Sequence, residues 1–164
     1  MQLVLGLTSG MPLRQIHELT TTAQKMHLRQ VWIGDDIPGA HDVFAVASST
    51  LLKHENIRVG IGVTSPLVRN ITTIARASVA LAQIGGNKRF SLGLGIGGLQ
   101  DLRRLRIAVR SPANTLRNAS TLLRHIWNGD KVTFETDDFK LTHYRSSVTM
   151  KQGTPILFGV RGPK

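Results

Sequence analysis

The sequence predicts an α/β fold built on a mainly parallel sheet. Three observations carry this. Five short apolar runs alternate with helical patterns from one end of the chain to the other. The core runs are near-continuously apolar rather than alternating, as strands of a parallel sheet are. The second to fourth runs also end on small or polar residues: Gly34-Asp35-Asp36, Thr64-Ser65-Pro66 and Gly95-Ile96-Gly97-Gly98. Ligands of parallel α/β folds gather at the carboxyl ends of the strands. The alternation fits an open doubly wound sheet and a barrel equally well.

The elements follow in order. Leu3 to Leu7 is a first strand, expected to be buried on both faces, and it stops at Thr8-Ser9-Gly10. Pro12 can open a helix whose apolar stripe is Ile16, Leu19, Ala23 and Met26. Gln30 to Gly34 is a second strand. Asp42 is placed to cap a helix carrying Val43, Val46, Ala47 and Leu51, with Asn56 as its end. Ile57 to Val63 is the third strand. A helix from about Asn70 to Ile84 presents Ile71, Ile74, Ala75, Ser78, Leu81 and Ala82 on one face, and Gly85-Gly86 supplies a left-handed cap. Phe90 to Gly95 is the fourth strand. A basic connection, 98–110, leaves room for a short helix. Ser111-Pro112 is a helix start, Leu116, Ala119, Leu123 and Ile126 the buried stripe, and Gly129 the stop. Lys131 to Glu135 and Phe139 to Leu141 alternate around Thr136-Asp137-Asp138, which is a surface hairpin. Pro155 to Val160 is the fifth core strand, followed by Arg161-Gly162-Pro163-Lys164.

Composition narrows the functional classes. A chain of 164 residues with 41% hydrophobic content suits one domain, 1–164, with a real core. No apolar run approaches the roughly 18–20 residues of a membrane span, and the first residues carry no basic leader. A cytoplasmic location is therefore expected. With no cysteine, disulfides and thiolate metal sites are excluded. The net charge of +11 points to an anionic partner. Aromatic residues make up only 5%, too few for a base-stacking platform, so nucleic acid is disfavoured, leaving a polyanionic coenzyme or simply a solvated basic surface.

Candidate chemistry lies at the strand ends. Gly93, Gly95 and Gly98 have the G-x-G-x-x-G spacing, but they follow the fourth strand, and Asn118 stands where a dinucleotide fold places its acid. Gly95-Ile96-Gly97-Gly98 reads instead as a place where backbone passes close to a ligand, or as a purely structural turn. Asp35 is a carboxylate at the mouth of the sheet, able to orient a cofactor or relay a proton, or simply an exposed loop charge. His17, His27, His41, His54, His125 and His143 show no metal-ligand spacing, so no metal site is expected. Arg161-Gly162 could cradle an anion.

Several of these stretches together resemble one family. Gly60-Ile61-Gly62-Val63-Thr64-Ser65-Pro66, Arg69, and Leu92-Gly93-Leu94-Gly95-Ile96-Gly97 resemble the luciferase-like flavin and deazaflavin oxidoreductases, with the archaeal methylenetetrahydromethanopterin reductases as the nearest group. Val31-Trp32-Ile33-Gly34-Asp35, Gly129-Asp130-Lys131-Val132 and Gly159-Val160-Arg161-Gly162-Pro163-Lys164 agree with it in order.

The resemblance implies a (β/α)8 TIM-type barrel, of which 164 residues would hold about the first five βα units. It implies the deazaflavin coenzyme F420 and hydride transfer to a pterin-bound one-carbon unit. The alternatives are an FMN-dependent monooxygenase and a non-catalytic half barrel. It further implies a non-prolyl cis peptide at Gly62–Val63 behind the coenzyme ring, with Thr64 beside it. Asp35 would orient the ring. The backbones of Gly95, Ile96, Gly97 and Gly98, and of Val160, Arg161 and Gly162, would line the coenzyme. Gly6 and Gly98 stand where the family often has acids. A half barrel leaves sheet edges open, so a homo-oligomer is expected.

Overall fold

The computed structural model describes residues 3–37, 39–86 and 88–160. Five strands form one parallel sheet in the order β1 (Leu5–Thr8), β2 (Gln30–Gly34), β3 (Arg58–Thr64), β4 (Phe90–Leu94), β7 (Ile156–Phe158). A two-stranded antiparallel hairpin, β5 (Val132–Glu135) and β6 (Lys140–Tyr144), stands apart. Spatial order follows chain order, with no reversal. A doubly wound sheet reverses at a switch point; this one does not, and the sheet is five successive strands of a barrel. The two architectures left open by the alternation are thereby separated.

The helices are α1 (Leu13–Lys25), α2 (Val43–Lys53), α3 (Ile71–Gly85), the short α4 (Leu99–Arg104) and α5 (Pro112–Asn128). α1 touches α2, α2 touches α3, and α3 touches α5, so they form one continuous layer. The core lies between that layer and one face of the sheet. Leu7, Val31, Ile33, Val59, Ile61, Phe90, Leu92 and Leu94 point into it, against the predicted stripes of α2, α3 and α5, every residue of which is buried. Trp127 of α5 is buried too, and its indole N–H donates to the Ala75 carbonyl (3.1 Å), which satisfies the one polar atom of a large apolar side chain.

The opposite face differs from expectation. Gly6, Trp32, Gly60 and Ser91 lie side by side in register across β1 to β4. Gly6 is exposed and Trp32 only half-buried, so β1 is not buried on both faces. The indole of Trp32 fills the space over β3: a Cβ at Gly60 would collide with it, and one at Gly62 would come within 2.8 Å of Cε3.

Other local expectations shift by a residue or two. Asn70 caps α3 by accepting from the Thr72 amide, and Asp42 caps α2 by accepting from Phe44 and Ala45. α2 ends at Lys53 rather than Asn56, because His54 leaves helical geometry and Arg89 takes up the free carbonyls. Met26, expected in the α1 stripe, is exposed at the helix end, and Thr20 is buried instead, bonded to the Ile16 carbonyl. Gly86 has the predicted positive φ (63°), but its ψ of 146° is extended, so the cap is not left-handed helical. Gly129 does adopt that geometry, with φ 84° and ψ 18°. Ser111 makes no side-chain cap bond, and its carbonyl accepts from Thr115 instead.

Candidate functional site

The carboxyl ends of β1 to β4 bring the predicted residues onto one rim. At β2, Asp35 is nearly sealed, its side chain 6% exposed. Arg69, just ahead of α3, grips both carboxylate oxygens: Nε donates to Oδ2 at 2.9 Å and Nη2 to Oδ1 at 3.1 Å. The Thr64 hydroxyl donates to Oδ2 at 2.7 Å. Arg69 Nη1 also donates to Asp42, and the guanidinium carbon lies 5.4 Å from the centre of the Phe44 ring. One arginine thus ties the end of β2, the end of β3 and the N-terminus of α2 together. Hydrogen bonding to Asp35, reinforced by Asp42, holds the Arg69 guanidinium above its ordinary pKa. With both oxygens of Asp35 engaged, the arrangement fixes geometry.

Next to it, the Gly62–Val63 peptide bond is cis, and the β3–β4 register shifts between Ile61 and Thr64. Gly62 is exposed and Val63 half-buried. The Val63 side chain turns toward β4 and β7, where three glycines receive it. A Cβ on Gly95 would come within 2.5 Å of Val63 Cγ2; on Gly159, within 2.8 Å of Cγ1; on Gly93 it would strike the Ile61 carbonyl as well. The glycine spacing noticed in the sequence is therefore first a seat for Val63.

The remaining glycines also have local reasons. Gly97 has φ 93° and lies against Ile37 and Ser65. The Ser65 hydroxyl donates to the Ile96 carbonyl (2.7 Å), tying the β3 end to the β4 turn. Gly98 opens α4, and a Cβ there would meet the Asp101 carboxylate. Of the predicted residues, Thr64 follows Val63 in β3 and Gly95 packs on its side chain, whereas Ile96 and Gly97 meet Ser65 and Gly98 meets Asp101. Val160 lies beyond β7 and is 79% exposed. Arg161 and Gly162 lie outside the described residues. Among the described residues no group of three or more His, Asp or Glu side chains is placed to hold a metal ion.

Three features of the rim escaped sequence reasoning. Arg69 as the hub was one; its place directly before the capping Asn70 was the available clue. The seating of Val63 on glycines was another. The third is Ser9, fully buried, whose hydroxyl accepts from the Asp36 amide (3.0 Å) and so joins β1 to β2. Two concavities of about 320 and 510 Å3 lie elsewhere, around Thr149 and Lys151, and include none of the rim residues. The rim is preferred as the candidate site because parallel α/β folds bind there and polar side chains converge on it.

A parallel sheet in barrel order, with helices on one face and polar residues at the strand carboxyl ends, has the α/β-barrel architecture. The chain belongs to the luciferase-like monooxygenase family, whose model matches residues 2–164. It is 29% identical over 154 residues to 5,10-methylenetetrahydromethanopterin reductase of Methanolobus tindarius, covering 93% of this chain and 46% of the relative. It is 23% identical over 163 residues to F420-dependent glucose-6-phosphate dehydrogenase of Amycolatopsis mediterranei, covering 92% and 48%. The solved coenzyme F420-dependent tetrahydromethanopterin reductase of Methanopyrus kandleri has the same fold, with a TM-score of 0.87 at 19% identity over 98% of this chain and 50% of that one. The chain spans about half the length of the relatives it matches.

Proposed function

We propose that this chain forms the coenzyme-binding side of an oxidoreductase that uses the deazaflavin F420. The observation that carries the reading is the exposed backbone at Gly62, next to the Trp32 indole. It is exposed at the mouth of a parallel sheet, with the Val63 side chain folded away onto Gly93, Gly95 and Gly159. Glycine at 62 leaves backbone, edged by the Trp32 indole, for a flat ring to approach. The Asp35–Arg69–Asp42 group beside it holds that surface still. Similarity to two relatives whose names specify F420 chemistry or the pterin reductase reaction favours this coenzyme.

F420, when bound, supplies the hydride; the protein supplies binding, orientation and electrostatics. Gly62, Val63 and Thr64 would back the ring. Gly95 to Gly98 would form the adjoining wall, and Val160, Arg161 and Gly162 the far end of the coenzyme. Asp35 acts through Arg69 and Thr64 as a positioning residue. The finer reading is reduction of a pterin-bound one-carbon unit, as in the reductases named above. The chain is read as one domain, 1–164, that works in the cytoplasm. Self-association is part of the same reading, since β1 and β7 are sheet edges and Leu157 and Phe158 are exposed. No helix among the described residues is long and apolar enough to cross a membrane.

Titration of the purified chain with F420 tests the proposal. Trp32 lies over Gly60 and Gly62, so binding is expected to change its fluorescence and the coenzyme absorbance together. A response to FMN and none to F420 moves the assignment to the monooxygenase alternative. No response to either leaves the non-catalytic half barrel.

A further inference from the structure

We propose that His17 and His54 form a proton-sensitive latch that fastens α1 to the end of α2, closed while the pair carries at most one proton and released when both rings are charged. The two imidazoles face each other, His17 Nδ1 to His54 Nε2 at 3.3 Å, with ring centres 5.5 Å apart. The other nitrogens are also engaged. His54 Nδ1 meets Gln24 Oε1 at 2.9 Å, and His17 Nε2 meets Ser49 Oγ at 3.4 Å. Among the described residues, the side-chain hydrogen bonds between α1 and α2 or its C-terminal cap pass through these two rings.

The donors can be assigned by elimination. The Gln24 carbonyl oxygen only accepts, so His54 Nδ1 donates and His54 Nε2 is left as an acceptor. His17 Nδ1 must then donate to it. The Ser49 hydroxyl donates to the Val46 carbonyl (2.9 Å), so its oxygen can accept from His17 Nε2. A single added proton, on His17 Nε2, can be donated in a hydrogen bond to that oxygen, so one charge does not break the chain. A second proton puts N–H against N–H at 3.3 Å and joins two positive charges.

The surroundings oppose that second proton. His54 is only 5% exposed. Lys53 on α2 stands beside both rings, and Arg89 at the start of β4 donates to the His54 carbonyl. No carboxylate among the described residues is hydrogen-bonded to either imidazole. On α1, the nearest acid, Glu18, is paired with Arg14 at the surface. Burial first, and then Lys53, lowers the His17 pKa; burial, His17 and Lys53 lower that of His54. The sign follows. Folded-state values below the unfolded value of about 6.5 mean that the latch contributes fully above that pH. Each protonation below that pH costs stability, and the latch is open once the pH has fallen through both folded values.

Release would be felt at the rim, because α1 begins only a few residues after Ser9 and Gly10. The Gly10 amide and the Ser9 hydroxyl both engage Asp36.

The test uses the 164-residue chain. Urea unfolding from pH 7.5 to 5.0 is expected to show the unfolding constant rising by up to about tenfold per pH unit for each histidine. The double variant His17→Gln/His54→Gln is expected to flatten that dependence. Imidazole nitrogen NMR of the unmodified chain, which needs no variant to fold, is expected to show both rings titrating below about 6.5 with His54 protonated on Nδ1. Hydrogen exchange, corrected for intrinsic rates, should show the α1 amides opening first on acidification. Ordinary titration of both rings overturns the latch. So does acid sensitivity that survives in the double variant, or α1 protection that is unchanged at pH 5.0.

Discussion

Gly95→Ala tests whether the glycines of the β4 end are a seat for Val63. The added methyl would lie 2.5 Å from Val63 Cγ2 and 3.5 Å from the Gly159 carbonyl. Val63 is β-branched and stiff about χ1, and Gly93 and Gly159 close the other sides of its seat, so it cannot swing away freely. Overpacking of this kind costs about 1–3 kcal/mol. For a chain of this size that corresponds to a melting temperature lower by roughly 2–12 °C. Val63→Ala alone loses roughly 1 kcal/mol of packing, but it removes both Cγ atoms, leaving a Cβ 3.4 Å from the new methyl. The double variant should therefore be about 1–2 kcal/mol more stable than the sum of the single changes, a coupling within the range for touching residues. Urea denaturation of all four proteins measures it. Additive effects, or a Gly95→Ala chain as stable as the parent, would refute the seat and return Gly95 to the role of a pure ligand wall.

Other substitutions probe the rim and the core. Arg69→Met should destabilise by about 3–5 kcal/mol, because it strands a nearly buried carboxylate; adding Asp35→Asn should recover part of that in the same unfolding assay. Asp42→Ala should cost about 1 kcal/mol as a lost helix cap. Burial raises the Asp42 carboxyl, but the Ala45 and Phe44 amides and Arg69 outweigh it, leaving its pKa below normal. Its contribution is therefore complete above about pH 4 and lost as pH falls further, so the parent and variant stabilities should converge in acid. Ser78 is fully buried in α3, and its hydroxyl has no hydrogen-bond partner among the described residues, so Ser78→Ala should raise stability by up to about 1 kcal/mol in thermal unfolding. Gly6→Glu should leave the unfolding midpoint nearly unchanged, since a Cβ there meets nothing within 4 Å.

Much of this molecule was legible because its core obeys one period at a time. The stripe Leu116, Ala119, Leu123, Ile126 is buried as read, since a helix on a sheet has a single apolar face. Asp42, Asn70 and Gly129 announced helix ends through chemistry local to each. Trp32 was not legible as the cover of β3, because its fit depends on glycines 28 and 30 positions away. Arg69 was equally hidden: its partners Asp35 and Asp42 lie 34 and 27 residues off and meet it only when β2, β3 and α2 are assembled. His54 deceived for a related reason. Local pattern carried α2 on to Asn56, but long-range bonds from Gln24, His17 and Arg89 claim the residue for a different geometry.

The order of strands in the sheet also sets an order of assembly. Each of β2, β3 and β4 docks beside the strand made just before it, across one helix, which keeps those contacts close in sequence and rapid to form. β7 is the exception. Between Leu94 and Ile156 the chain makes α4, α5 and a whole separate hairpin before it returns, and the strand that closes this excursion is only three residues long. Closing a longer loop costs more chain entropy and is repaid here by the shortest ladder of the sheet. The β4–β7 edge is therefore expected to form last and open first, so amide exchange at the Gly95–Gly159 side of the rim should be faster than at the Asp35–Arg69 side.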